Sequence, residues 1–142
     1  MKFFVVVTVA VALTVLFAGC VTMTLKVPVS RDRIAAALDI SEVGINILFR
    51  FAENRGAEVA DAREKSSAAF AFVRSLLVLE FRSIERKDLA YAIEELRAVA
   101  ASAARLCRAL EVDEAIVALH EQYVERALDT LGLVLAALPE GE

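Results

Sequence analysis

The sequence of 142 residues contains no tryptophan, only two cysteines, two prolines and a single histidine. Its formal net charge is −4, and its few aromatic residues are not interleaved with lysine or arginine, so we expect no nucleic-acid-binding surface. Two cysteines cannot supply the disulfide framework of a small secreted scaffold. A folded domain in this chain must therefore be held together by an apolar core.

The chain also lacks the short motifs of enzymes and metalloproteins. It contains no glycine-rich phosphate loop, no Gly-x-Ser-x-Gly elbow and no metal-protease helix. His120 and Cys107 lie near apolar helical stripes without a second metal-ligating partner, and we interpret both as buried structural residues. The series Glu121, Glu125 and Asp129 indicates a solvated helix face, because calcium ligands converge from a loop. We expect no catalytic residue, no metal site and no cofactor, and predict that the protein is not an enzyme.

Proline and glycine are almost absent from the middle of the chain. No proline occurs between Pro28 and Pro139, and glycine interrupts this interval only at positions 44, 56 and 132. The interval is rich in alanine, leucine, glutamate and arginine, which favour helix over strand. Residues 31–142 are therefore predicted to form one all-α domain.

Four segments of this domain have helical spacing. The first is predicted to start after an N-cap at Ser30 and to stop at Asn54-Arg55-Gly56, and the second spans residues 57–86. Asp88 and Asp113 are the predicted N-caps of the third and fourth. Short links between helices of this length predict an antiparallel up-down-up-down four-helix bundle. No breaker separates the second and third segments, so one long kinked helix is the alternative there.

Each predicted helix carries an apolar stripe that we expect to form the core. Along the third and fourth segments the apolar positions repeat every seven residues, the spacing that keeps side chains on one helix face. The predicted core residues are Ile34, Leu38, Ile45, Leu48, Ala52, Phe70, Val73, Leu77, Phe81, Ile84, Leu89, Ile93, Leu96, Ala100, Ala103, Leu110, Val117, Val124, Ala127, Leu131, Val134 and Leu138.

The N-terminus is the longest uncharged stretch of the chain. After Lys2, no charged residue occurs from Phe3 to Leu25, and a basic start followed by an apolar centre and a small-residue exit is the order of a secretory signal. About 20 apolar residues also suffice to cross a bilayer as a helix. An uncleaved single-pass helical anchor and an ordinary cleaved signal are therefore alternatives to the interpretation that follows.

The residues Leu16-Phe17-Ala18-Gly19-Cys20 resemble the lipobox of bacterial prolipoproteins. The resemblance implies that residues 1–19 are a signal peptide that is removed, and that the Cys20 thiol receives a diacylglycerol. It further implies acylation of the new amino group by a chain such as palmitate. Two or three acyl chains hold a protein firmly on a bilayer, at about 0.8 kcal/mol for each buried methylene.

Residues 20–30 are predicted to be the lipidated cysteine and an extended tether. From Val21 to Val29, apolar residues occupy every odd position, a period of two that indicates an extended segment with one covered face. Pro28 excludes a central place in a sheet. We favour a tether that lifts the domain off the bilayer; the alternative is a segment that lies along the domain or adds to a partner's strand.

Three runs are apolar on most sides of their helices, namely residues 43–51, 70–81 and 131–138. This surplus on the first, second and fourth helices indicates either a well-buried core with wide margins or a surface that something else covers, such as a dimer interface or a groove for a partner helix or a lipid-like ligand. We predict a lipoprotein of the cell envelope, on the periplasmic or extracellular side, that acts as an interaction or structural module with a protein partner or a second copy. The alternative is a bundle that binds an apolar or lipid-like ligand. The resemblance to prolipoproteins further implies an outer membrane where a cell has two, because Val21 follows Cys20 in place of the aspartate that resembles an inner-membrane retention signal in enterobacteria.

Overall fold

The computed structural model describes residues 26–140, and this part of the chain contains four helices and no strand. The helices are α1 (Arg31–Asn54), α2 (Ala60–Leu77), α3 (Arg86–Ala109) and α4 (Glu114–Ala137), with one 3-10 turn at Phe81–Ser83. The predicted all-α four-helix bundle is confirmed. The predicted signal peptide and Cys20 lie outside the described residues.

Contacts between helix ends show that neighbouring helices run antiparallel. Arg31, at the start of α1, donates hydrogen bonds to the carbonyls of Leu77 and Leu79 at the end of α2. Arg86, at the start of α3, donates to the carbonyl of Leu138 just after α4, at 3.1 Å. The chain direction is therefore up-down-up-down. Around the bundle the helices follow in the order α1, α4, α3 and α2, and α1 also contacts α3 across the centre.

The helix ends at Ser30, Gly56 and Asp113 follow from local sequence. The Ser30 hydroxyl accepts a hydrogen bond from the Arg33 amide at 3.3 Å, and an Asp113 carboxylate oxygen accepts from the Ala115 amide at 2.8 Å. Both are the predicted N-caps, since a short polar side chain satisfies an amide that the helix leaves free. Gly56 has a φ of 88°, a left-handed conformation that favours glycine after a helix end.

The predicted boundary between the second and third helices is wrong. Helix α2 ends at Leu77 rather than near residue 86, and α3 begins at Arg86 with Glu85, not Asp88, at its N-cap position. Residues 78–85, the α2–α3 loop, separate the two helices, so they are not one kinked helix. At this boundary Arg31 of α1 donates hydrogen bonds to the carbonyl of Leu77, the last residue of α2, and to that of Leu79 in the loop. Residues 78–88 alone do not predict this tertiary contact.

The predicted stripes form the core. All of the residues named for it are buried except Leu77, Phe81, Ala100 and Leu110, which are half-buried and pack against it. Phe49 and Phe70 are the largest fully buried side chains, and both come from runs with an apolar surplus. Much of that surplus is therefore core.

The last residues before α1 also lie against the bundle. Val29 is buried in the core and Val27 packs on it half-buried, whereas Lys26 and Pro28 are exposed. The predicted alternation of covered and exposed positions is present here. Over residues 26–30 the segment follows the body of the domain, and residues 20–25 of the predicted tether lie outside the described residues.

Helices α1 and α4 pack closely at Gly44. A methyl group at this position would lie 3.1 Å from Nδ1 of His120 on α4, which is tighter than ordinary van der Waals contact. Glycine inside a helix costs about 1 kcal/mol relative to alanine. The glycine is thus explained by the imidazole packed against it.

We expect Gly44→Ala to give no gain in the free energy of unfolding of the otherwise native protein, because the new methyl group displaces His120. In a His120→Ala background the same change should stabilise the bundle by about 1 kcal/mol, since the helix penalty is removed and the space is free. Chemical unfolding of the four proteins of this double-mutant cycle measures the difference. Equal effects of Gly44→Ala in both backgrounds would show that the contact does not limit α1–α4 packing.

Candidate functional site

The predicted lipidation site, Cys20, lies outside the described residues, and the described chain begins six residues after it. The structure therefore bears on function through the faces of the bundle and through the polar groups buried between its helices. Two such groups were named from the sequence, His120 and Cys107, and both are buried.

His120 lies at the contact of α1 and α4. Its side chain is 8% exposed, its ring lies 5.8 Å from that of Tyr123, and its buried Nδ1 makes no hydrogen bond to the described residues. Burial lowers the pKa of the imidazole below its ordinary value, because the charged form loses hydration. This geometry fits a neutral side chain packed at the helix contact, although its Nδ1 is not satisfied by a hydrogen bond to the described residues.

Cys107 lies across the centre of the bundle, between α3 and α1. Its thiol donates a hydrogen bond to the carbonyl of Leu48 at 3.2 Å and has no exposed surface. Burial raises the pKa of the thiol, although the charge of Arg55 opposes this. A protonated and inaccessible sulfur is a poor nucleophile.

The acidic residues of α4 lie on a surface face next to α3. Glu114 is bonded to Arg108 at 2.8 Å, and the same guanidinium also contacts Glu121. These carboxylates hold the pKa of Arg108 above its ordinary value. Within residues 26–140, no group of three or more histidine, cysteine, aspartate or glutamate side chains is placed to hold a metal ion.

The largest set of exposed apolar side chains in the helices lies on α1 and α4. Ile40, Val43, Leu119 and Leu133 are between 45% and 58% exposed, far more than a core position. Ile40 and Leu133 line the same groove of about 420 Å³, which runs between the two helices and includes Tyr123. Val43 lies one turn after Ile40 on α1, and Leu119 lies one turn before Tyr123 on α4, so each is next to a residue of this groove. We call these four residues and their groove the α1/α4 face.

Ion pairs are distributed unevenly around the bundle. In the described part of the chain they link α2 to α1, through Arg63 with Glu53 and Arg74 with Asp39, and α3 to α4 through Arg108. The α1/α4 face has no such pair among the described residues. Charged side chains therefore cover two of the four outer contacts between neighbouring helices, and apolar side chains cover this one.

A second groove, the α2/α3 groove, has a volume of about 650 Å³. Phe49 of α1 forms part of its wall, and the rings of Phe72 and Tyr91 meet edge to face at 6.0 Å beside it. Small side chains of both helices, including Ala62 and Ala98, keep it open, while its rim carries these charged residues: Glu58, Asp61, Lys65 and Glu95. Volumes of about 300–1,000 Å³ are typical of small-molecule sites.

The sequence identified only part of these surfaces. Val43 and Leu133 belong to the apolar runs that were singled out, and both are exposed. Ile40 and Leu119 were missed, although each lies off the predicted core stripe of its helix and that displacement was the available signal. On α2 the expected surplus is buried or half-buried, because its last apolar residues, Val78 and Leu79, belong to the loop.

Comparison of this chain with known proteins found no similar protein. No protein-family model matches the chain, and neither the curated proteins nor the solved structures contain a match. Among the helices of residues 26–140, none combines the length and the apolar character that a membrane crossing requires.

The low pKa of His120 predicts a pH dependence of stability. In the unfolded chain histidine titrates near pH 6.5, and the folded pKa lies lower, so between the two values the unfolded state binds more protons. The free energy of unfolding should therefore fall as the pH drops below about 6.5, above the range where carboxylates titrate. Urea unfolding of the native protein and of His120→Gln measures this, and an unchanged slope in the variant would show that another group is responsible.

Proposed function

We propose that this protein is a lipoprotein of the cell envelope, anchored through acylated Cys20, whose helical bundle acts as a non-enzymatic interaction module. The observation that carries the proposal is the α1/α4 face. Its four apolar side chains are about half exposed. Ile40 and Leu133 line one groove, and the other two each lie one helical turn from a residue of that groove. Contiguous exposed apolar surface on a folded domain marks a site that a partner covers.

The position of this face supports a protein partner or a second copy of the chain. It lies on the two helices that pack most extensively on each other, so a partner would meet a preformed surface. Arg33 and Arg126 border the groove and are not engaged in ion pairs with other described residues. An apolar centre bordered by charged groups is the usual anatomy of a protein interface.

The membrane-anchored part of the proposal is supported by the lipobox-like residues 16–20. The described bundle has an apolar core and no disulfide, and its only cysteine is buried Cys107. Anchoring would then be provided by the acyl chains, on the outer side of the membrane and, where there are two membranes, on the outer one. An uncleaved helix within residues 3–25 is the competing form of attachment.

The alternative function is binding of an apolar or lipid-like ligand in the α2/α3 groove. Its volume of about 650 Å³ and the aromatic rings of Phe49, Phe72 and Tyr91 favour this candidate. The ligand would lie between two helices without opening the core, since Phe49 is 2% exposed and already packed.

Cys20→Ser should abolish fatty-acid labelling of the protein and cause the precursor to accumulate, because the thiol that receives the diacylglycerol is missing. Labelling in cells and the intact mass of the membrane-extracted protein are the measurements. Cys107→Ser is the matched control and should be labelled normally. A full-length mass without acyl chains in the native protein would favour the uncleaved helix instead.

Val43→Lys should abolish self-association or capture of the native partner while leaving thermal unfolding nearly unchanged, within about 0.5 kcal/mol, because the side chain is exposed. Ala71→Lys, at an exposed position on α2, is the control and should behave as the native protein. Solution mass of the detergent-extracted protein measures the effect. A native monomer that binds one lipophilic dye molecule, with Val43→Lys unaltered, would favour the ligand-binding alternative.

A further inference from the structure

The α2–α3 loop exposes the most accessible large apolar side chain of the described residues. Val78 is 84% exposed, and Leu79 beside it is 43% exposed. Neither lies on the α1/α4 face or in the α2/α3 groove. Two adjacent apolar side chains at a loop tip have no place in the interface proposed above, so their exposure has to be explained separately.

Contacts of the loop backbone with α1 keep these two side chains exposed. Arg31 binds the carbonyls of Leu77 and Leu79, and its guanidinium carbon lies 4.2 Å from the centre of the Phe81 ring. Farther along the loop, Ile84 is buried in the core. Contacts on both sides of Val78 therefore hold the loop in place. Some of its apolar side chains pack against the bundle, and two of them, Val78 and Leu79, point to the outside.

The loop lies at the end of the bundle where the chain arrives from Cys20. Arg31 is the first residue of α1, and Val29 before it is packed in the core. Cys20 precedes Lys26 by six residues, which reach at most about 20 Å even when fully extended. The opposite end of α3, at Ala109, is about 35 Å farther along the helix axis. An acyl chain on Cys20 would hold the end that carries Val78 and Leu79 close to the bilayer.

The charges around the loop fit a contact driven by apolar insertion. Arg82 and Lys87 are paired with Glu80 and Glu85, at 2.7 and 2.9 Å. The loop therefore has no surplus of positive charge to attract anionic lipid, and equally no unpaired acidic cluster facing the membrane. Membrane contact here would depend on the two apolar side chains more than on lipid charge.

We propose that the α2–α3 loop docks the bundle on the bilayer, with Val78 and Leu79 inserted at the lipid interface and the helices standing away from the membrane. The inference rests on the proposed attachment through the N-terminal segment. Its consequence is a fixed orientation: the α1/α4 face points sideways, along the membrane plane, where an envelope partner or a second anchored copy can reach it.

The test places a fluorophore at each end of the anchored bundle. The full-length chain with Val78→Cys, or with Ala109→Cys as the control, is extracted from membranes, checked for acylation by intact mass, and labelled with an environment-sensitive dye. Buried Cys107 is retained, and the native protein controls for labelling elsewhere. In vesicles of phosphatidylethanolamine and phosphatidylglycerol that contain nitroxide-labelled lipid, the dye at position 78 should shift to the blue and lose most of its emission. The dye at position 109 should do neither.

A second substitution tests the side chains themselves. Leu79→Gln, combined with the dye at position 78, should lower the ratio of docked to undocked bundle roughly tenfold, the value of burying one side chain of this size. Ala115→Gln is the control, because Ala115 is exposed at the start of α4, near the opposite end of the bundle, and belongs neither to the α1/α4 face nor to the α2/α3 groove. It should leave the ratio unchanged.

The outcomes separate the inference from the proposed anchoring. Acylated protein with an unquenched dye at position 78, or with equal quenching at positions 78 and 109, overturns the docking and leaves the anchor intact. Unacylated, full-length protein with quenching only at position 78 supports the docking and overturns lipidation. Unacylated protein without quenching overturns both.

Discussion

The hydrogen bonds from Arg31 to the carbonyls of Leu77 and Leu79 join the start of α1 to the end of α2 and to the α2–α3 loop. The last carbonyls of a helix have no partner within it, so a guanidinium that reaches them can stabilise a helix end. Here the donor comes from the start of α1, and it contacts the end of α2 and the α2–α3 loop. Together with Ile84, which the loop buries in the core, this contact between residues far apart in sequence holds the loop that separates α2 from α3.

The outer contacts between helices differ in chemistry, and this difference organises the candidate surfaces. Two of them carry ion pairs of Arg63, Arg74 and Arg108 with carboxylates on the neighbouring helix. Exposed pairs of this kind contribute little stability, on the order of 0–1 kcal/mol each. They place hydrated charge at the α1–α2 and α3–α4 contacts, although a groove of about 600 Å³ also lies between α3 and α4. The exposed apolar side chains of the helices lie mainly at the other two contacts.

The side chains of His120 and Cys107 are packed between helices. His120 fills the space left by Gly44, and the Cys107 thiol donates to a helix carbonyl. In both cases burial shifts the pKa toward the uncharged form. The proposal for function accordingly rests on surface shape and on the N-terminal residues, and it assigns no reaction to the bundle.

The sequence determined the fold class, the core and the locally capped helix ends. Heptad spacing requires only the geometry of a single helix, and the caps at Ser30 and Asp113 involve residues two or three positions away, so both can be predicted from local pattern. It also supplied the attachment hypothesis at Cys20. The tertiary structure decided where α2 stops, because residues 78–88 alone do not mark that boundary and the loop there contacts Arg31 of another helix. It also decided which apolar residues of the loop stay exposed. Val78 and Leu79 are exposed while Ile84 is buried, and only contact with the other helices distinguishes them.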